Sequence, residues 1–127
     1  PAALEARGAA AGVAVEVVEY QPDLARELRQ AALVVSHAGA GTILDCLQAG
    51  RRLVVVPNEG LMANHQVQLG LALREQGLLF CFRAGELSDG LRQADFGKLR
   101  RFPAKGGAAF ARCAGELLGW QPGASAQ

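Results

Sequence analysis

The chain is short of cysteine, and the few it has are badly placed for cross-links. Its 127 residues include three cysteines, Cys46, Cys81 and Cys113, which lie far apart in the sequence and form no CxxC spacing. An odd, dispersed set of this kind indicates neither a disulfide framework nor a zinc site. We therefore expect reduced thiols, as in a cytoplasmic protein.

The chain also lacks an excess of charge and any long apolar run. The formal net charge is +1, and the basic residues are scattered apart from short pairs such as Arg51-Arg52 and Arg100-Arg101. This balance argues against a nucleic-acid partner, and we interpret the pairs as solvated surface. No apolar run approaches the roughly 20 residues of a membrane span. Residues 1–12 also lack a secretory-signal pattern, so we expect membrane association only through a partner.

Half of the residues are hydrophobic and 20% are charged, which is a composition typical of a packed domain. We predict one domain at residues 13–119, preceded by a lead-in at 1–12 and followed by a polar tail at 120–127. The lead-in is interpreted as a weak helix or a loose segment. No internal repeat and no second domain are indicated.

Four apolar segments predict strands, at residues 13–18, 33–36, 53–57 and 78–82. Helices are predicted at 24–30 with Asp23 as its cap, at 42–49 ended by Gly50, and at 64–76 ended by Gly77. The remainder after the fourth strand, including 107–118, is also predicted to be helical before the polar tail. The second and third strands are continuously apolar, which is typical of a parallel sheet covered by helices on both faces.

This alternation predicts a Rossmann-like α/β fold with right-handed crossovers. Ligands of such sheets bind beyond the carboxyl ends of the strands. The loops that leave those ends, at residues 36–42 and 57–64, are therefore the candidate binding segments.

The first loop is rich in glycine and opens a helix. Gly39, Ala40, Gly41 and Thr42 carry no large side chain, so a ligand can approach their backbone closely. Their N–H groups and the helix dipole together form an anion site suited to a diphosphate, and Thr42 adds a hydroxyl. The alternative is a tight strand-to-helix turn that binds nothing.

Asp45 lies about one turn into the same helix. A carboxylate accepts hydrogen bonds only, which suits it to the two hydroxyls of a ribose. The alternative is a capping box in which Asp45 accepts from the backbone at Thr42.

The second loop leads into Asn64, His65 and Gln66 at a helix start. Imidazole and amide groups are suited to contacting sugar hydroxyls, although Asn64 is also a natural helix cap and His65 can be purely structural. His37 ends a strand. It is a candidate catalytic group, and the alternative is a hydrogen-bonded histidine that fixes the turn. The catalytic base itself is unknown.

The two loops together carry a resemblance. The run Ser-His-Ala-Gly-Ala-Gly-Thr-Ile-Leu-Asp at 36–45, followed by Pro-Asn-Glu-Gly-Leu-Met-Ala-Asn-His-Gln at 57–66, resembles the soluble donor-binding subunits of the dolichol-linked N-acetylglucosaminyltransferases. Those subunits are similar to the C-terminal half of the bacterial lipid II glycosyltransferase MurG, in glycosyltransferase family 28. The resemblance runs from about residue 13 to residue 118.

The resemblance implies the C-terminal half of a glycosyltransferase B-type fold and an enzyme subunit that transfers GlcNAc from UDP-GlcNAc to GlcNAc-diphosphodolichol. The diphosphate would lie on residues 39–42, the ribose on Asp45, the sugar on Asn64, His65 and Gln66, and the uracil beside Tyr20 and Gln21. The partner would be a membrane-anchored, acceptor-binding subunit on the cytosolic face of the endoplasmic reticulum. No Asp-x-Asp or other metal cluster is seen, so no metal and no cofactor are expected.

Two features depart from that family. Ala63 stands where an Asp often precedes Asn-His-Gln, and the usual first strand, Gly/Thr-rich loop and helix have no match at the start. We therefore expect a shortened form or a fragment, active only with its partner. The alternative function is a non-catalytic or regulatory variant that keeps partner binding. A dinucleotide-binding oxidoreductase is disfavoured, because no GxGxxG turn follows the first strand.

Overall fold

The computed structural model describes residues 2–18, 23–37, 39–57, 63–103 and 106–118. Its strands are β1 (Val34–Ser36), β2 (Leu53–Val55) and β3 (Phe80–Cys81). Its α-helices are α1 (Ala2–Ala10), α2 (Ala25–Gln30), α3 (Ala40–Gln48), α4 (Ala63–Glu75), α5 (Leu87–Gln93) and α6 (Gly106–Leu118). Single 3-10 turns occupy Ala84–Glu86 and Phe96–Lys98.

The three strands form one parallel sheet in the order β1-β2-β3. Val35 lies opposite Val54, and Val54 lies opposite Phe80. Helices α3 and α4 make the two crossovers that parallel neighbours require. This arrangement confirms the predicted Rossmann-like α/β fold and three of its four predicted strands.

The hydrophobic core lies on one face of the sheet. Val34, Leu53, Val55 and Cys81 point to this face, because successive side chains of a strand alternate between faces. They pack with helices α3, α4 and α6. The fully or almost fully buried members include Ile43, Leu53, Val55, Leu69, Leu79 and Phe110. Helix α4 lies so close to β3 that a Cβ on Gly70 would stand 2.9 Å from the Cys81 Sγ.

The second face is covered unevenly. The Phe80 ring stacks on Phe82 at a centroid distance of 6.1 Å and meets Phe96 edge-on at 5.3 Å. Val54 is 0% exposed, whereas Val35 on β1 is 48% exposed. Burial on both faces is thus confirmed for β2 and wrong for β1.

The strand predicted at residues 13–18 is wrong. These residues have no regular secondary structure and join none of the described strands. Helix α1 ends at Ala10, and Gly12 follows it with a φ of 76°. The N–H of Val13 then donates to the carbonyl of Gly8 at 2.7 Å. β-Branched residues favour a strand only where a neighbouring strand and a packed face receive them. Here Val13 and Val18 are exposed.

Cys46 is a buried thiol of α3 whose ionisation should affect stability. It is 0% exposed, and burial together with the nearby Asp45 carboxylate raises the pKa of the thiol from 9.0 to about 11. Between these two values the unfolded chain binds fewer protons than the folded one, because its thiol ionises first. The free energy of unfolding is therefore expected to fall as pH rises through this window, by at most about 1.4 kcal/mol per pH unit from this group.

Urea unfolding at pH 8, 9 and 10 measures this slope. Other groups titrate in the same range, so the relevant quantity is the difference between the wild type and Cys46→Ala, which lacks the thiol. The variant is expected to lose stability at pH 8 but to show a shallower decline above pH 9. Equal slopes in the two proteins would contradict the prediction.

Candidate functional site

The two candidate loops meet at the carboxyl ends of β1 and β2. The N–H of Val56 donates to the carbonyl of Ser36 at 2.8 Å. The His37 Nδ1 donates to the carbonyl of Val56 at 3.1 Å, and the Ser36 hydroxyl donates to the carbonyl of His37 at 3.0 Å. These bonds hold the exit of β1 against the exit of β2, so segments that are 19 residues apart border one site.

His37 is exposed, and its ring has one nitrogen committed to the bond with Val56. A carbonyl can only accept, so Nδ1 carries the proton and Nε2 is left as the acceptor of the neutral ring. This geometry is what the turn-fixing alternative predicts. A catalytic role for His37 stays a prediction.

The Gly39 to Thr42 segment forms the N-terminus of α3. Gly39 is the N-cap residue, buried and extended with φ −72° and ψ 123°, and it provides no side-chain cap. The first intrahelical bond runs from the Ile43 N–H to the Gly39 carbonyl at 3.0 Å. Among the described residues, the N–H groups of Ala40, Gly41 and Thr42 therefore have no acceptor. Three such donors at the positive end of a helix dipole can bind an anion.

Asp45 lies on the second turn of α3. The helix begins at Ala40 rather than at the predicted Thr42, so Asp45 is too far along it to cap its first turn. The capping-box alternative is therefore wrong. The Asp45 side chain is exposed and makes no hydrogen bond or ion pair within the described ranges. Gly41 and Asp45 are four residues apart and so share a face of the helix.

Helix α4 begins at Ala63, one residue before its predicted start. Asn64 therefore lies inside the first turn, and the interpretation of Asn64 as a cap ahead of the helix is wrong. The backbone of Asn64, His65 and Gln66 follows the exit of β2, while their side chains lie outside the described part of the structure. Tyr20 and Gln21, predicted beside uracil, also lie outside it.

Within the described ranges, no group of three or more His, Cys, Asp or Glu side chains is placed to hold a metal ion. No described helix is both long and apolar enough to cross a membrane.

The arginine pairs are only partly the solvated surface that the sequence indicated. Arg51 is half-buried, and its guanidinium donates to the carbonyls of Ala49, Arg29 and Ala31 at 3.2 to 3.4 Å. The Arg100 Nη1 donates to the carbonyl of Gln76 at 3.0 Å. These side chains satisfy carbonyls at the C-terminal ends of α2, α3 and α4. A weak signal existed for the first pair only, since Arg51 directly follows Gly50, which ends α3.

Comparison with known proteins assigns a family to this geometry. The glycosyltransferase family 28 C-terminal domain matches residues 3–109. The UDP-N-acetylglucosamine transferase subunit ALG13 of Mus musculus is 50% identical over 66 residues, which is 52% of this chain and 6% of that protein. The subunit of the same name from Saccharomyces cerevisiae is 39% identical over 88 residues, covering 68% of this chain and 44% of that protein.

A bacterial relative and a solved structure agree with this assignment. The UDP-N-acetylglucosamine–N-acetylmuramyl-(pentapeptide) pyrophosphoryl-undecaprenol N-acetylglucosamine transferase of Sphingopyxis alaskensis is 37% identical over 84 residues, covering 66% of this chain and 21% of that protein. An NMR solution structure of ALG13 superimposes with a TM-score of 0.52 at 37% identity, over 67% of this chain and 43% of that one. The chain spans less than half the length of each of these relatives.

Proposed function

The chain belongs to the glycosyltransferase family 28 C-terminal domains, and from this premise we propose that it is the donor-binding catalytic subunit of an N-acetylglucosaminyltransferase. It takes GlcNAc from UDP-GlcNAc and passes it to GlcNAc-diphosphodolichol, the second step in assembling the lipid-linked oligosaccharide for N-glycosylation. The observation that carries the proposal is the row of three N–H groups at the start of α3 that have no acceptor in the described part of the chain. It stands at the sheet edge where Rossmann-like folds bind ligands.

The N-terminus of α3 holds the donor diphosphate. The N–H groups of Ala40, Gly41 and Thr42 donate to phosphate oxygens, and the Thr42 hydroxyl adds a fourth donor. As the glycosidic bond breaks, negative charge grows on the departing UDP. Fixed N–H donors and the helix dipole stabilise that charge without having to reorganise.

The neighbouring side chains orient the rest of the donor. The exposed Asp45 carboxylate accepts from the ribose hydroxyls one turn further along α3. Asn64, His65 and Gln66, on the first turn of α4, contact the GlcNAc hydroxyls, and Tyr20 with Gln21 borders the uracil. The bonds from His37 and Val56 hold together the exits of β1 and β2, the strands that precede α3 and α4 in the chain.

The acceptor arrives from a membrane. A dolichol-linked sugar is insoluble in water, so the acceptor is bound by a membrane-anchored partner subunit at the cytosolic face of the endoplasmic reticulum. The general base that takes the proton from the acceptor hydroxyl is supplied by that partner. The two subunits together form the active enzyme.

Donor binding is tested by the melting temperature of the chain with UDP-GlcNAc. A stabilising shift is expected with UDP-GlcNAc and none with NAD. Asp45→Ala is expected to weaken UDP-GlcNAc binding by about 10- to 100-fold, which corresponds to about 1.5–3 kcal/mol for hydrogen bonds to a charged group. The matched control is Asp89→Ala, which removes an acid that is 78% exposed on α5 and should leave the affinity unchanged.

If UDP-GlcNAc does not change the melting temperature of the folded chain, the proposed donor site is refuted. A transferase assay with the membrane partner then separates catalysis from mere assembly. Activity only in the reconstituted pair is expected. Co-purification with the partner without any transfer would identify the chain as the non-catalytic variant.

A further inference from the structure

A second concave site lies at the amino ends of the strands, opposite the candidate donor site at their carboxyl ends. A cleft of about 580 Å³ is lined by residues that precede β2 and β3, together with the segment after α5. Parallel strands start at one edge and end at the other, so this cleft is remote from the N-terminus of α3. Its lining includes Arg51, Arg52, Arg100, Arg101, Phe96 and Phe102. We refer to it as the arginine cleft.

The arginine cleft has a positively charged lining. Among the described residues, four arginines line it and no Asp or Glu does, although the whole chain carries a formal charge of only +1. Arg51 and Arg100 are engaged with helix-end carbonyls. Arg52 and Arg101 are exposed and have no hydrogen-bond or ion-pair partner among the described residues. Two guanidinium groups are therefore free to bind an anion from outside.

The remaining lining selects the kind of anion. Leu78, Phe96, Leu99 and Phe102 also line the cleft and add some apolar surface to it, which a free phosphate or a sugar phosphate leaves uncovered. The C-terminal turn of α3, at Gln48 and Ala49, also borders the cleft and contributes partial negative charge. That charge disfavours a dianion more than a single carboxylate. A concave site is, in addition, poorly matched to a flat lipid surface.

From these observations we infer that the arginine cleft binds an acidic segment of a protein partner. Carboxylates of the segment pair with Arg52 and Arg101, and apolar side chains between them lie on Phe96 and Phe102. Guanidinium groups suit this role because their planar donors match a carboxylate in a two-bond arrangement. Arg51 and Arg100 keep the walls of the cleft in place by holding the ends of α2, α3 and α4.

A fluorescein-labelled seven-residue peptide of alternating glutamate and leucine serves as the probe in an anisotropy titration. The wild-type chain is expected to bind it, and the double variant Arg52→Ser, Arg101→Ser to bind it at least tenfold more weakly. Arg26→Ser with Arg83→Ser is the matched control, since it removes the same charge from exposed arginines elsewhere. The control pair should change the affinity less than twofold, and UDP-GlcNAc should not displace the peptide.

Several results would overturn the inference. One is that the wild-type chain does not bind the peptide. Another is that the two double variants lose the same affinity, and a third is that a glutamine–leucine peptide binds as well as the glutamate–leucine peptide. Displacement of the peptide by tripolyphosphate at lower concentration would assign the cleft to a small anion instead. Binding to phosphatidylserine vesicles that is lost only with Arg52 and Arg101 would assign it to a membrane. A normal UDP-GlcNAc response of the double variant shows that it is folded and keeps this test separate from that of the donor site.

Discussion

Replacing Ile43 with alanine is expected to lower the free energy of unfolding by about 2–5 kcal/mol. Ile43 is 0% exposed and belongs to the core cluster between α3 and the sheet, so the lost side chain leaves a cavity that its neighbours fill only in part. Since domains of this size are stable by only about 5–15 kcal/mol, the loss is large. Urea unfolding at pH 7 measures it.

A graded series separates the cavity from other effects. Ile43→Val removes one methyl group and should cost about 0.5–1.5 kcal/mol. Leu4→Ala, which shortens a side chain that is 55% exposed on α1, should stay within about 0.5 kcal/mol of the wild type. Because Ile43 follows Thr42 directly, Ile43→Ala should also weaken UDP-GlcNAc binding. A loss below 1 kcal/mol for Ile43→Ala would mean that α3 is not anchored as described.

The elements that the sequence predicted well are those with local and mutually consistent signals. The apolar runs at residues 33–36 and 53–57 predicted β1 and β2 to within two residues. Gly50 and Gly77 end α3 and α4 with φ values of 72° and 75°, a conformation that glycine adopts at little cost. The N-cap of α2 is Leu24 and not the predicted Asp23, although the Asp23 carboxylate accepts from the Ala25 N–H at 2.9 Å at the start of that helix.

The secondary-structure predictions fail where tertiary packing determines the conformation of a segment. Residues 13–18 have strand-forming side chains but no described strand beside them, and they follow α1 as an irregular segment. The segment after residue 82 was predicted as helix without bounds, and α5 was not delimited in it because Leu87–Gln93 has a glycine at its centre and little apolar pattern. That glycine, Gly90, is required by packing, since a Cβ there would lie 2.6 Å from the Phe82 ring.

The position of the candidate site was predictable, but its internal contacts were not. The rule that ligands bind beyond the carboxyl ends of parallel strands selected both loops. The bond from His37 to Val56 depends on the register of β1 against β2, which no local pattern contains. The freedom of the Asp45 carboxylate depends on Gly39 being the N-cap, three residues before the helix start that the sequence indicated.

The N–H of Ala40 can be deleted without moving the start of α3. Proline is tolerated at the first position of a helix, where the N–H has no intrahelical partner. Gly39 already has the extended conformation that a residue before proline adopts, with φ −72° and ψ 123°. In Ala40→Pro one of the three donors to the diphosphate is lost. The affinity for UDP is expected to fall by about 10- to 100-fold, as for a hydrogen bond of about 1.5–3 kcal/mol to a charged group.

Ala40→Val is the control for the added volume. Ala40 is 3% exposed, so both larger side chains crowd the core and should each cost about 1–3 kcal/mol of stability. Valine is close to proline in size but retains the N–H. Calorimetric titration with UDP should therefore show near wild-type affinity for Ala40→Val and the large loss only for Ala40→Pro. If the two variants bind UDP equally, the backbone at the start of α3 does not hold the diphosphate.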